Sequence, residues 1–572
     1  MNPLNLSVET SSPSKKFWLM SQNVAVVAKY APFVVCLASG KLDEDAFRLL
    51  IALDAHFLRE FETAYMKAEE YADDGDAKVA VSNLRRAVSD KLYRLNNSIA
   101  QDLGIYPTQE VLTNPAIMKY TCFLSDISDG KINGENVTDQ IVTTSEMTRI
   151  AAYTVGAVAP CMRLYAFLSR EFEPFLSLYG SDRPYYKNWM NIYSPLNFEK
   201  AAVQIEDLLD KLSVPLTEED LEVLQKVYLQ AMKLAIEFLF LQPICIPSVV
   251  PLSRLRDPKN QLFIFSDFDS TCTSLNTSIL APKSAYHPVS DNHTNQMSSL
   301  EIKDPRVAIS LEYTKDYEKC IETLLPSEAK TFDLEYIYKS LEHLLELEKW
   351  ANSKDKESGI LMGMYINDIQ CAGEHLVQDG CARFFQKVVG QREQLNVDLH
   401  ILSHRWSSDF MRAAFSSAGC LADFMIHGHE FEYQRSVTRG VIVRRIESSL
   451  EKVQVFKGIL TQNCKDTEFF SVYIGGGTVS DLLCLLEANV GIVIGSSEVV
   501  RKVGKRFGIS FLPLSQGLVE VQREAESYGS SSAWKARTGV LYTVSGWSEI
   551  HAFILGIEPT PDFKIQQEAA DF

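Results

Sequence analysis

From Phe17 to about Gln242, apolar residues recur three and four positions apart, the period of helices buried along one face. Polar breaks near 73–75, 129–134 and 180–184 divide this half into separate helices, and no strand-like alternation is visible in it. Pro243, Pro247 and Pro251 then punctuate the chain, and a polar segment at 254–260 follows, which together predict a linker over 246–260. Beyond it, short apolar runs recur at 262–265, 399–402, 470–474 and 491–494, separated by helical patterns. That alternation predicts a parallel, doubly wound α/β sheet. A long insertion, about 272–395, follows the first run; it opens with a polar loop at 284–299 and continues as helices such as 334–350. Placed directly after the first strand, it is expected over the carboxyl edge of the sheet, where such sheets bind ligands. The pattern therefore predicts an all-helical domain over 15–245 and an α/β domain over 261–572.

Polar residues that interrupt apolar stripes carry the candidate chemistry. Phe47, Leu50, Asp54, Phe57 and Phe61 share one helix face, so Asp54 lies inside an apolar stripe. Val158, Cys161, Tyr165, Leu168 and Phe172 repeat that spacing and stack Cys161 one turn from Tyr165. Glu237 is flanked by Ile236, Phe238, Leu239 and Phe240. An unpaired buried carboxylate is costly, so two in one domain point to a polar pocket inside the bundle. Cys161 alone reads equally as a small buried hydrophobe. In the second half, Phe263-Ile264-Phe265-Ser266-Asp267-Phe268-Asp269-Ser270-Thr271 delivers two carboxylates from the end of a strand. Strand alternation puts Asp267 and Asp269 on one side, where their repulsion invites a cation or a proton. Mg2+, usually held by one or two carboxylates plus substrate phosphate, is the expected ion. Taken alone, the pair also reads as turn aspartates capping the next helix.

Composition narrows the classes. At 572 residues, with 46% hydrophobic and 23% charged positions, the chain is ordinary globular material too long for one core. Its formal charge of -18 excludes nucleic acid and anionic membranes as expected partners, since phosphate backbones need a basic footprint. Eleven cysteines without CxxC pairs read as reduced thiols. No uninterrupted apolar run of membrane-spanning length stands out, the greasiest being 229–252. The first residues lack the character of a signal or transit peptide, so the expected location is cytosolic, or mitochondrial for a longer form with a transit peptide.

Four pieces of the second half belong together: Asp267-Phe268-Asp269-Ser270-Thr271; Leu402-Ser403-His404-Arg405 at the end of a second strand; Lys452, with Lys457 as its competitor; and Val472-Tyr473-Ile474-Gly475-Gly476-Gly477-Thr478-Val479-Ser480-Asp481. Their order and spacing resemble the haloacid-dehalogenase superfamily of phosphohydrolases over about 255–572. The resemblance implies a doubly wound domain with a cap insertion and an aspartyl-phosphate mechanism. It implies Asp267 as nucleophile, Asp269 as acid and base, and Thr271, Ser403 and Lys452 as phosphate-binding residues. Mg2+ would be held by Asp267, Asp269 (through its carbonyl) and Asp481. The family usually carries an acid directly after the first glycine of its last motif; this chain has Gly476 there.

In the first half, Ala159-Pro160-Cys161-Met162-Arg163-Leu164-Tyr165, Ala52-Leu53-Asp54-Ala55-His56-Phe57-Leu58, Lys119-Tyr120-Thr121, Tyr185-Tyr186-Lys187-Asn188-Trp189 and Ile236-Glu237-Phe238-Leu239-Phe240 resemble the TenA/thiaminase II family. That resemblance implies a haem-oxygenase-like bundle that hydrolyses aminopyrimidines. Cys161 would be the nucleophile, Glu237 the proton shuttle and Asp54 the partner of the ring nitrogen and amino group. Tyr120, Tyr165 and Tyr186 would line the pocket. Phe57 stands where the family often has tyrosine, and Phe240-Leu241 replaces its usual Phe-Trp. The pairing of the two halves resembles plant-type bifunctional thiamine-salvage hydrolases. It implies thiamine monophosphate and an aminopyrimidine as small-molecule substrates, and a homo-oligomer formed through the helical domain.

Overall fold

The computed structural model describes residues 12–72, 75–99, 115–132, 135–136, 143–179, 186–187, 189, 193–244, 246–255, 260–273, 305–357, 362–373, 376–420, 425–444, 446–463, 468–476, 478–525 and 537–557. Two compact units emerge: Met1–Leu255 with Leu518–Gly529 and Ala552–Phe572, and Arg256–Gly517 with Ser530–His551. Two stretches that the sequence pattern assigned to the C-terminal domain thus group with the first unit.

The first unit is built from α1 (Pro13–Ala25), α2 (Pro32–Ala38), α3 (Glu44–Tyr71), α4 (Gly75–Arg94), α5 (Pro115–Ser128), α6 (Thr144–Tyr179), α7 (Pro195–Ser213) and α8 (Glu218–Phe240). Local chemistry starts these helices. Asp43 caps α3 by accepting from the Ala46 amide at 2.8 Å. Thr217 and Asp220 form a reciprocal capping box at α8, with amide contacts of 3.1 and 3.2 Å, ahead of three acidic residues that suit the helix dipole. α6 runs through the centre, packed on α3, α5, α7 and α8. Gly156 permits the closest approach, since a Cβ there would stand 2.4 Å from Leu224 Cδ1 of α8. Two expectations change. A two-residue antiparallel pair, Lys131–Ile132 with Glu135–Asn136, occupies the break after α5, where Gly130 turns the chain at φ +75°. Among the described residues, Thr144–Leu176 rather than 229–252 is a helix long and apolar enough to cross a membrane, and 78% of its most apolar window is buried in the bundle, as befits a core helix.

The second unit is an α/β sheet. Its strands are β1 (Gln261–Asp267), β2 (Met362–Tyr365), β3 (Val397–Ser407), β4 (Met425–Gln434), β5 (Val437–Arg444), β6 (Phe469–Gly475), β7 (Val490–Ile494), β8 (Ser510–Pro513) and β9 (Val540–Val544). They lie in the order β8-β9-β7-β6-β1-β3-β4-β5-β2, parallel from β8 to β4 and antiparallel for the last two pairs. β1 sits between β6 and β3 and is buried along nearly its whole length, which explains its continuous apolar run. Register pairs Asp267 with Leu402, so Ser403 stands one step beyond on the neighbouring strand.

The inserted segment behaves differently from expectation. Its helices α9 (Pro305–Leu324) and α10 (Leu334–Glu357) contribute Ile321, Ile337, Leu341 and Leu344 to the same core as Phe263, Phe265, Phe456 and Tyr473. Their apolar stripes are buried on a face of the sheet, and this, worth about 1.5–3 kcal/mol per large side chain, outweighs any preference for the carboxyl edge. The polar loop expected at 284–299 lies outside the described residues.

Candidate active sites

At the carboxyl end of β1 the chain folds tightly on itself. The amides of Thr271, Cys272 and Thr273 all approach the Phe268 carbonyl, and Ser270 adopts a left-handed conformation at φ +56°. The Ser270 amide donates to Thr273 Oγ1 at 3.0 Å, and Trp547 Nε1 donates to the Thr271 carbonyl at 2.9 Å. Asp267, Asp269 and Thr271 are all buried here. Helix α11 (Ser449–Asn463) sends Lys452 into the same place. Its ammonium lies 2.5 Å from Asp267 Oδ1 and 2.7 Å from Asp481 Oδ1, with no exposure of its own. Lys457, the competing lysine, instead pairs with Glu487 at 2.7 Å and is half exposed.

Asp481 follows β6 and is fully enclosed. Tyr473 donates to its Oδ1 at 2.9 Å and Thr478 to its Oδ2 at 2.7 Å, so with Lys452 both oxygens are engaged. Asp481 thus braces Lys452, and the metal-ligand role expected of it would have to displace these donors. Gly476 is where the backbone passes closest to the first loop: a Cβ would stand 2.3 Å from the Ser270 carbonyl oxygen and 2.6 Å from Thr271 Oγ1. No side chain, acidic or otherwise, fits there without moving the loop. Asp267 Oδ2 and the Asp269 carbonyl both face Thr271 Oγ1 at 3.4 Å. Burial and the charge of Asp481 push the Asp267 carboxyl up to about 7, while Lys452 pulls it down. Burial works against the Lys452 charge, yet the two carboxylates outweigh it and raise that group. Ser403 is buried within β3, one step past the Leu402 that pairs with Asp267. Sequence reasoning gave no role to Tyr473 and Thr478, although both lie inside the last motif, and missed Trp547, which lies far from every motif.

The helical unit gathers a second cluster. Cys161 on α6 is buried, and its thiol is pushed up by burial and by the charge of Asp54, and pulled back by Tyr120 and Lys91. Asp54 on α3 is itself raised by burial, with Tyr193 and Lys91 opposing. Tyr120 donates to the Ala157 carbonyl at 2.9 Å and meets Phe57 edge-on, ring centroids 5.4 Å apart. Tyr165 stacks on Phe198 at 5.5 Å and 13°. Tyr186 stacks on Phe47, donates to the Leu37 carbonyl and meets Trp189 edge-on with ring centroids 6.3 Å apart, while Tyr193 reaches Asp54. Glu237 pairs with Lys119 at 2.5 Å, and no described contact joins it to Cys161. Lys91 and Tyr193 were missed because no apolar stripe includes them.

A thiol beside a carboxylate in an aromatic pocket, and lysine-braced aspartates at a sheet's carboxyl end, define a two-part hydrolase. Residues 29–243 match the TENA/THI-4/PQQC family. The chain is 45% identical to the bifunctional TH2 protein, mitochondrial, of Arabidopsis thaliana, covering 95% of this chain and 89% of that one. It is 22% identical to an aminopyrimidine aminohydrolase of Staphylococcus saprophyticus, over 35% of this chain and 80% of that one. A solved TenA homologue from P. horikoshii OT3 covers 40% of this chain and 97% of its own at 15% identity, with a TM-score of 0.33. The chain belongs to the family of bifunctional TH2 proteins.

Proposed function

We propose that the C-terminal unit hydrolyses thiamine monophosphate through an aspartyl phosphate and that the helical unit is an aminopyrimidine aminohydrolase. The observation that carries the first half is Lys452, buried between Asp267 and Asp481 at the end of the central strand. Asp267 attacks phosphorus, the ester P–O bond breaks, and Asp269 gives its proton to the departing alcohol. Asp269 then takes a proton from water, which attacks the aspartyl phosphate and releases inorganic phosphate. Lys452, Thr271 and Ser403 hold the transferring oxygens.

Among the described residues no three His, Cys, Asp or Glu side chains gather as a metal site. Asp267 Oδ2 and the Asp269 carbonyl lie together beside Thr271 Oγ1, and these oxygens suit Mg2+ once substrate phosphate supplies further oxygens. Those two groups would hold it, and it would neutralise charge on the phosphoryl oxygens.

In the helical unit the observation is Cys161 beside Asp54 and Tyr120. Cys161 adds to the ring of 4-amino-5-aminomethyl-2-methylpyrimidine while Asp54 holds its amino edge. The amine leaves with a proton from Glu237, and water then restores the thiol. The Staphylococcus relative's name supports this half. A cytosolic location is proposed for this chain, and a mitochondrial one for a longer form with a transit peptide; the name of the Arabidopsis relative supports the latter. Self-association through the helical unit belongs to the same proposal.

Phosphate release from a panel of phosphomonoesters tests the first half, with thiamine monophosphate expected to rank first and Asp267→Asn to be inactive. A low rank points to another small phosphate ester. Release no greater than that of Asp267→Asn makes this half a binding or assembly module. For the second half, Cys161→Ser should abolish ammonia release.

A further inference from the structure

One cation reaches the helical pocket without a part in the chemistry above. Lys91 lies in the last turn of α4, where a positive charge ordinarily faces solvent and complements the helix dipole. Arg94, one turn on, does that from an exposed position. The Lys91 ammonium instead lies 4.3 Å from the centroid of the Tyr193 ring and 5.0 Å from that of Phe198. Phe198 in turn stacks on Tyr165, one helical turn from Cys161.

Among the described residues no carboxylate closes an ion pair with this ammonium. Burial lowers the hold of this group on its proton, and the charge of Asp54 opposes that shift. Contact with two aromatic faces returns less than taking an ammonium out of water requires. One more polar atom of the same wall, Trp189 Nε1, is buried without a hydrogen-bond partner among the described residues, on a ring stacked 5.2 Å from that of Tyr193. An anion and a cation that share an aromatic pocket without closing on each other, beside an unsatisfied donor, are arranged for a flat polar ligand between them.

We propose that Lys91 is a catalytic residue of the helical unit: its ammonium meets the aminopyrimidine ring on the edge opposite Asp54 and neutralises the charge the ring gains when Cys161 adds. The proposal rests on the aminohydrolase reading. An aminopyrimidine offers its amino group and one ring nitrogen to a carboxylate and leaves the other ring nitrogen as an acceptor. Cys161 gives its thiol proton to Asp54 as the sulfur–carbon bond forms, and the adjacent C=N π pair becomes a nitrogen lone pair. A proton passing from Lys91 to that nitrogen leaves a neutral adduct and a neutral amine. The proton returns when the adduct collapses. Without it, an anion would form in a buried pocket that already holds Asp54.

The test uses the full chain with Lys91→Met and Lys91→Arg. Ammonia release from 4-amino-5-aminomethyl-2-methylpyrimidine should fall about 100-fold or more in kcat for Lys91→Met, with KM changed only a few-fold, and Lys91→Arg should recover part of the loss. The pH midpoint for alkylation of Cys161 by iodoacetamide should move upward in Lys91→Met, which a purely structural lysine would not cause. Thermal unfolding of each variant reports the folded fraction. The proposal is overturned if Lys91→Met turns over like wild type. It is equally overturned if activity falls only with folded fraction while the alkylation midpoint stays in place. If the wild-type chain releases no ammonia, the aminohydrolase reading itself fails and takes the proposal with it.

Discussion

Replacing Lys452 by methionine keeps most of the side-chain volume and removes a single charge. The structure sets the consequence. The ammonium touches Asp267 Oδ1 at 2.5 Å and Asp481 Oδ1 at 2.7 Å, and all three groups are buried. Without it two carboxylates remain enclosed with no countercharge, and removing one partner of a buried pair costs about 3–5 kcal/mol. That loss should depend on pH. Asp267 is already raised by burial and Asp481 with the lysine present, and losing the lysine raises it further. Near pH 5 a protonated Asp267 relieves most of the repulsion, leaving a cost closer to that of a lost hydrogen bond, about 1–2 kcal/mol. At about 2–4 °C per kcal/mol, the unfolding transition of the C-terminal unit should drop by roughly 6–20 °C at pH 8 but only by about 2–8 °C at pH 5. Calorimetry at the two pH values measures this. Equal losses at both, or no loss at pH 8, would refute the claim that Lys452 neutralises a buried pair.

Asp267→Asn should remove part of the wild-type pH slope. A carboxyl raised in the folded state favours folding fully below its unfolded value near 3.8 and loses that contribution as pH rises through about 7. The variant should therefore gain stability relative to wild type between pH 5 and 8, as urea titrations at both values would reveal. Gly476→Ala puts a Cβ 2.3 Å from the Ser270 carbonyl oxygen, so the loop must yield about 1 Å to reach ordinary contact. We expect about 1–3 kcal/mol of destabilisation and a fall in phosphate release well beyond it, because the loop carries Asp267 and Asp269. Wild-type kinetics would show that the close approach has no bearing on the site. Mn2+, followed by its paramagnetic resonance signal, should bind weakly to the chain alone and at least ten-fold more tightly with inorganic phosphate present. Tight binding without phosphate would mean that Asp481 or another group acts as a ligand after all.

Much of the chemistry could be read without coordinates because it is local. The step from an apolar strand to Asp-Phe-Asp-Ser-Thr, and the helical spacing around Asp54 and Cys161, follow from periods of two and 3.6 that neighbouring residues alone define. The class of sheet and the mostly helical first half were legible on the same basis, while the hydrolase character of both halves came from the resemblance of their motif residues to known families. What remained ambiguous depended on distance in the chain. Two lysines five positions apart, Lys452 and Lys457, look alike in sequence; the turn of α11 sends one to Asp267 and the other to Glu487.

The same reason governs the other differences. Tyr186 lies within the motif that points to the pocket and Tyr193 just after it, and only the folded chain shows that Tyr193 is the one beside Asp54. The inserted helices carry ordinary amphipathic stripes, and only the core they join showed that they cover a face of the sheet. Gly476 looked like a missing acid; in the folded chain it is a point where two backbones meet too closely for any side chain. Sequence by itself thus determined which residue types arrive at each strand end and helix face. Tertiary structure decided which of them meet, because burial, charge pairing and close backbone approach act between segments that lie hundreds of residues apart.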